Sequence, residues 1–121
     1  MDDVLNSLPN EYISQVREYL TGVRFKFDVK IDFSGTDFQN SVWQAMMEIP
    51  YGETRTYKQI AEKIGRPKAV RAVGTACGKN ILPIIVPCHR VVASGGKLGG
   101  YAFGLEAKKQ LLDLESKNHG C

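Results

Sequence analysis

From Thr36 onward the apolar residues return at helical spacing. Phe38, Val42, Trp43, Met46 and Met47 form one stripe that runs out at Pro50. Thr36 and Gln39 stand at capping-box spacing, so a helix is predicted to begin there, with the methionine and aromatic stripe as core. A second helix is predicted after Thr56, with Gln59 three residues on and Ile60, Ala61 and Ile64 on one face. Gly65 and Pro67 stop it, and a third helix runs from about Lys68 to Cys77, ending at Gly78. Leu105 to Glu115 reads as a last amphipathic helix.

The first third of the chain has another rhythm. Tyr12 to Leu20 suits a short helix, and Phe25, Phe27, Val29, Ile31 and Phe33 alternate with polar residues at the period of a half-buried strand. The character changes near Ser34 and Gly35, which divides the chain into an appendage, residues 1–34, and a main unit, residues 35–121. The appendage is too small to fold alone and is expected to pack on the remainder. After Asn80 an apolar run, Ile81 to Val86, is interrupted by Pro83 and suits a short buried strand or extended segment. It leads into Pro87-Cys88-His89-Arg90-Val91-Val92, after which Gly95, Gly96, Gly99 and Gly100 mark a flexible or tightly turned loop.

The expected fold is therefore mainly α with short β. Two short helices joined by a glycine-containing turn make a helix-turn-helix pattern whose second helix bears Lys68 and Arg71. Packed helical domains that bind nothing produce the same pattern, and charge bears on the choice. Residues 1–53 carry four Lys/Arg against nine Asp/Glu, whereas residues 54–121 carry twelve against four. A basic second half suits a face laid on a polyanion, although lysine runs are more often a solvated surface.

A chain of 121 residues with 43% hydrophobic residues suffices for one compact domain. No run approaches the roughly 18 apolar residues of a membrane helix, and the first residues lack the basic start and apolar run of a signal peptide. The expectation is a soluble, intracellular protein. Cys77, Cys88 and Cys121 are odd in number and lack CxxC spacing, which favours neither a disulfide framework nor a cysteine zinc site. At least one is expected to remain a thiol. Cys88 stands between Pro87 and His89 at the end of the apolar run, where a thiol can be held rigidly toward a pocket. A nucleophilic thiolate needs a base and something to hold that base, and His89, Arg90, Asn80, Tyr57 and Glu115 are candidates. The Cys-His pair alone does not separate a nucleophile from a packed core cysteine.

The blocks PYGETRTYKQIA, RPKAVRAVGTACGKN, PCHRVV and GGYAFGLEAKKQLL, in this order and spacing, resemble the catalytic domain of the O6-alkylguanine-DNA alkyltransferases over about residues 35 to 115. The resemblance implies a winged-helix-like DNA-binding domain. It also implies irreversible, single-turnover transfer of an alkyl group from O6 of guanine, and O4 of thymine, to Cys88 after the base is flipped out from the minor groove. On that pattern Cys88 is the acceptor, His89 takes its proton through a water, and Glu115 orients the imidazole. Asn80 couples the helix-turn-helix to the active-site loop, and Tyr57 acts on the 3′ phosphate and the flipped base. Arg71 is the finger that fills the space of the extruded guanine. Lys68, Ala69, Ala72 and Gly74 belong to the DNA-contacting segment, the small residues allowing close approach to the groove. Cys88, Val91, Tyr101 and Ala102 line the substrate pocket, the backbone reading the guanine edge.

The resemblance further implies double-stranded DNA containing O6-alkylguanine as partner, a monomer, no cofactor, and action in the cytoplasm, or in the nucleus of a eukaryote. Family members usually carry an N-terminal α/β domain that is almost wholly missing here, and with it the family's zinc, so no metal is expected. Three rivals stand beside this reading. A damage-recognition protein of the alkyltransferase-like kind would lack the acceptor cysteine. A winged-helix regulator leaves the PCHRV block without a purpose. A cysteine hydrolase has no need of a basic helix-turn-helix.

Overall fold

The computed structural model describes residues 8–28, 31, 33–79, 82–101 and 104–118. Within them the elements are α1 (Asn10–Leu20), α2 (Asp37–Met47), β1 (Arg55–Thr56), α3 (Tyr57–Lys63), α4 (Val70–Gly78), β2 (Val91–Val92) and α5 (Leu105–Asn118), with a 3-10 turn at Cys88–Arg90 just before β2 and another at Ser94–Gly96.

Local chemistry sets the starts of α2 and α3. Thr36 Oγ1 accepts from Gln39 N at 3.1 Å while Gln39 Oε1 accepts from Thr36 N at 3.0 Å. The same reciprocal pair joins Thr56 and Gln59 at 3.0 and 2.8 Å. Gly35 lets the chain enter α2 closely, since a Cβ there would fall 2.7 Å from the Trp43 ring. After α3, Gly65 takes φ +78° and the chain turns into α4, completing the helix-turn-helix.

Two apolar clusters hold these elements. Val42, Trp43 and Met46 of α2 pack with Ile60, Val73, Ala76 and Val91, and Trp43 Nε1 donates to Ala76 O at 2.9 Å. Leu8, Val16 and Tyr19 pack with Ile84, Ile85 and Leu111, so α1 closes over the segment before Cys88 and over α5. No helix among the described residues is long and apolar enough to cross a membrane.

Several expectations are corrected. Phe25, Phe27, Ile31 and Phe33 form no strand, because the one strand pair among the described residues is β1 with β2 and offers them no ladder. The rings are used for packing instead: Phe27 on Tyr19 at 5.6 Å, Phe25 edge-on to Tyr51 at 4.9 Å and Phe33 on Trp43 at 5.8 Å between centroids. Val29 lies outside the described residues. Residues 82–86 form a turn rather than a strand, with Val86 N bonded to Leu82 O at 2.9 Å. Ile81 is outside the described residues. The third helix starts at Val70 with Ala69 as its cap, which leaves Lys68 in the preceding turn. Met47 is 37% exposed, on the flank of the α2 stripe rather than in the core.

Thr56 both caps α3 and fixes where Tyr57 begins. Thr56→Ala is expected to cost about 1 kcal/mol, lowering the melting temperature by roughly 3–6 °C in a scanning unfolding experiment.

Candidate active site

The short parallel pair β1–β2 places Arg55 beside Val91 and Thr56 beside Val92. Tyr57, the first residue of α3, is thereby brought next to the turn that carries Cys88, His89 and Arg90. On the other side, the turn at 82–86 aims the chain at Pro87. Ile84 there has φ 74°, costly for a β-branched residue, and its burial beside Ile85, Val16 and Leu111 holds it in place.

Cys88 lines a cavity of about 450 Å³ together with Tyr57, Val70, Arg71, Gly74, Cys77, Gly78, Gly100 and Tyr101. The helix-turn-helix supplies one wall and the glycine loop the other. Tyr57 Oη donates to Gly100 O at 3.4 Å. Burial, and then the charge of the neighbouring Cys77, push its phenol above the usual value, so it stays protonated and able to donate. Burial and the charge of Cys88 do the same to Tyr101. Gly99, at φ +73°, is pressed against Tyr57: an added Cβ would lie 2.8 Å from that phenol.

Two thiols face this cavity, and their settings differ. Cys77 donates to Met46 Sδ at 3.6 Å, and burial followed by the charge of Cys88 pushes its thiol up to about 12. A thiol so raised is a poor nucleophile at neutral pH. Cys88, by contrast, is directly followed by a histidine whose ring is wholly buried.

That histidine is bound to a carboxylate. His89 Nε2 lies 2.6 Å from Glu115 Oε2, and Glu115 is 1% exposed. Glu115 Oε1 accepts from Arg90 Nε at 2.8 Å and Gly52 N at 3.1 Å. Its Oε2 accepts in addition from Arg90 Nη2 at 2.9 Å and from the Tyr19 hydroxyl. Burial alone would raise the Glu115 carboxyl, but hydrogen bonds from His89 and Arg90, with their charges, hold it down at about 2. Burial outweighs the carboxylate at His89 and keeps its pKa below the ordinary value, with Arg90 and Lys108 adding to the depression. A neutral imidazole has one N–H, and an ionised carboxylate can only accept, so the proton sits on Nε2. Nδ1 is then a lone pair, and among the described residues it has no hydrogen-bond partner. The arrangement is a fixed, buried base one residue from a cavity-lining thiol.

Lys108, fully buried, reinforces the wall from α5. Its Nζ donates to Val91 O at 2.6 Å and to Gly100 O at 3.0 Å, and it sits 5.8 Å from the centre of the Tyr57 ring. Burial lowers its pKa, opposed by the nearby Cys88 and Cys77.

Of the residues singled out in the sequence, Cys88, Tyr57, Arg71, Gly74 and Tyr101 meet at the cavity, and His89 with Glu115 lies behind it. Lys68 and Ala69 line a separate surface hollow with Arg66 and Pro67, and Ala72 is exposed on α4. Val91 is buried, its carbonyl already accepting from Lys108. Asn80 and Ala102 lie outside the described residues. Sequence reasoning passed over Tyr19, Cys77 and Lys108, and noted Arg90 without a role. The RV pair after His89 and the lysine on the apolar face of α5 were the available signals for two of them.

A family model described as 6-O-methylguanine DNA methyltransferase, DNA binding domain, matches residues 37–117. A Methanosarcina barkeri methylated-DNA–protein-cysteine methyltransferase is 56% identical over 108 residues, 89% of this chain and 68% of its own length. A Mycobacterium bovis protein of the same name is 53% identical over 103 residues, 85% of this chain and 62% of its own. The structure of Mycobacterium tuberculosis OGT in complex with DNA superposes with a TM-score of 0.85 at 52% identity, covering 88% of this chain and 66% of that one. S. pombe Atl1, in complex with damaged DNA containing O6-carboxymethylguanine, superposes with a TM-score of 0.60 at 33% identity, covering 72% of this chain and 79% of that one. Fold and site thus place the molecule among helix-turn-helix proteins with a cysteine-centred cavity. The chain belongs to the 6-O-methylguanine DNA methyltransferase family. It spans about two thirds of the length of these methyltransferase relatives.

The buried network has a pH signature. The His89 pKa lies below the ordinary 6.5, so the unfolded chain takes up that proton first and stability declines as pH falls below 6.5. Glu115 adds stability above its ordinary 4.5 that is lost as pH falls toward about 2. Urea midpoints measured against pH are expected to fall in these two stages. Glu115→Gln should remove the lower stage and cost about 3–5 kcal/mol at neutral pH, because Arg90 is left buried without its counter-ion.

Proposed function

We propose that this chain repairs DNA by taking an alkyl group from O6 of guanine onto Cys88, once per molecule. The observation that carries the reading is the placement of Cys88 in a cavity between Tyr57, Arg71 and Tyr101, with the buried base His89 beside it. In the proposed step the Cys88 proton passes through one water to His89 Nδ1. The sulfur then attacks the alkyl carbon in line, an S–C bond forms and the C–O6 bond breaks. The electron pair of that bond remains on guanine, which takes up a proton from solvent, and His89 returns to solvent the one it took from Cys88. A thioether is inert to hydrolysis, so in this reading the protein is consumed.

Glu115 holds the His89 ring and favours its charged form once the proton arrives. The Tyr57 hydroxyl, kept protonated, is a donor for the flipped base and the adjoining phosphate. Arg71 is read as the side chain that enters the base stack and fills the space of the extruded guanine, and its exposure on α4 at the cavity rim supports this. Lys68, Ala69, Ala72 and Gly74 are read as the DNA-contacting face. Asn80 and Ala102 keep the roles that the resemblance implies, coupling the helix-turn-helix to the active-site loop and offering an N–H to O6. We keep residues 35–121 as the catalytic unit and residues 1–34 as its appendage. The partner is read as double-stranded DNA, and the site of action as the cytoplasm, or the nucleus of a eukaryote.

Intact-protein mass after incubation with one equivalent of a duplex containing a single O6-methylguanine tests the reading. One added methyl, mapped to Cys88, is expected, and Cys88→Ala should gain none while still binding the duplex. Tight binding without an adduct would mark a damage-recognition protein instead. Arg71→Ala is expected to slow transfer about tenfold or more, since flipping costs a few kcal/mol that the side chain offsets in part; single-turnover rates on the same duplex read this directly.

A further inference from the structure

We infer that Tyr19 is a positioning residue for the proposed transfer: its hydroxyl, delivered by α1, holds the Glu115 oxygen to which His89 is bound, and so sets the direction and basicity of the His89 ring. The inference rests on the function proposed above. It concerns a residue outside the segment matched by the family model, residues 37–117.

Tyr19 has no exposure, its hydroxyl donates to Glu115 Oε2, and the same oxygen atom of Tyr19 lies 3.3 Å from His89 Nε2. Its ring is fixed by Phe27 at 5.6 Å and Tyr51 at 5.9 Å. A carboxylate has about four lone-pair positions. Glu115 meets donors from Tyr19, Gly52, His89 and both Nε and Nη2 of Arg90, so Oε2 is shared among the phenol, the imidazole and Nη2 of Arg90. Every donor that shares the oxygen weakens its hold on the imidazole proton. Among the described residues, the titratable and charged groups acting on the pair and on Tyr19 are Tyr19 from α1, Tyr51 from the loop before β1, Arg90 from the 3-10 turn and Lys108 from α5. Arg90 and Lys108 oppose a charged His89, and Glu115 favours it. Without the phenol, Glu115 acts on His89 more strongly and the ring takes up a proton at higher pH.

Tyr19→Phe removes the hydroxyl and keeps the ring. Ring-nitrogen NMR shifts of His89, followed against pH in the intact protein, should show protonation moving up by about half to one unit. Single-turnover transfer should fall several-fold more at pH 6 than at pH 8. Phe33→Leu, which loosens packing on Trp43 without touching Tyr19 or its ring neighbours, should lower the melting temperature and leave both pH readings in place. Unchanged His89 titration in Tyr19→Phe overturns the inference, as does a rate lowered equally at both pH values. If His89 shifts but the wild-type protein transfers no methyl, Tyr19 stands as positioning residue of the pair and the proposed function falls. If wild type transfers and His89 does not shift, Tyr19 alone falls.

Discussion

A carboxylate taken out of water needs donors on every side, and the donors that Glu115 finds come from parts of the chain far apart in sequence. Arg90 supplies charge, Gly52 a backbone amide, His89 a ring N–H and Tyr19 a phenol. Meeting that requirement pins α5 to the 3-10 turn, the turn to the loop before β1, and all three to α1. Arg90 is itself committed further, with Nη1 donating to Ile49 O at 2.8 Å and its guanidinium over the Tyr51 ring. The turn that presents Cys88 is rigid because its two following side chains are both tied to this one charge.

The molecule separates reactivity from support. On the cavity side stand groups that can meet a ligand: the Cys88 thiol, the Tyr57 phenol and the Arg71 side chain. On the inner side stand charges matched to one another and shielded from solvent. His89 belongs to both, since its Nε2 faces the support and its Nδ1 is left for chemistry. Cys77 shows how much setting matters, because a second thiol on the same cavity is kept protonated by burial and by its neighbour. Lys108 joins the two sides, its buried ammonium bracing Val91 and Gly100.

What could be read along the sequence was whatever short-range chemistry decides. Thr36 with Gln39 and Thr56 with Gln59 announce helix starts because both partners of each box lie within one turn. Cys88 and the histidine after it were legible as a motif. Long-range partnerships were not: Tyr19 and Glu115 are 96 positions apart, and no periodicity marks either as the other's partner. The alternating phenylalanines were misleading for a physical reason. Alternation reports that every second residue seeks cover, and Tyr19 and Trp43 partly cover Phe27 and Phe33 without a sheet, while Phe25, edge-on to Tyr51, stays exposed. Lys68 fell outside its helix because the turn after Pro67 delays the first helical residue to Val70.

The turn at Ile84 bears on the order of events during folding. A left-handed backbone at a β-branched residue is opposed by local preference, so it forms only when something distant holds it. Here the restraint is burial beside Val16, 68 positions earlier, and Leu111, 27 later. Contacts of such separation close late, after the local helices exist. The segment that aims Cys88 is therefore among the last to be assembled, and a nascent or partly opened chain carries its cysteine without the geometry that makes it selective.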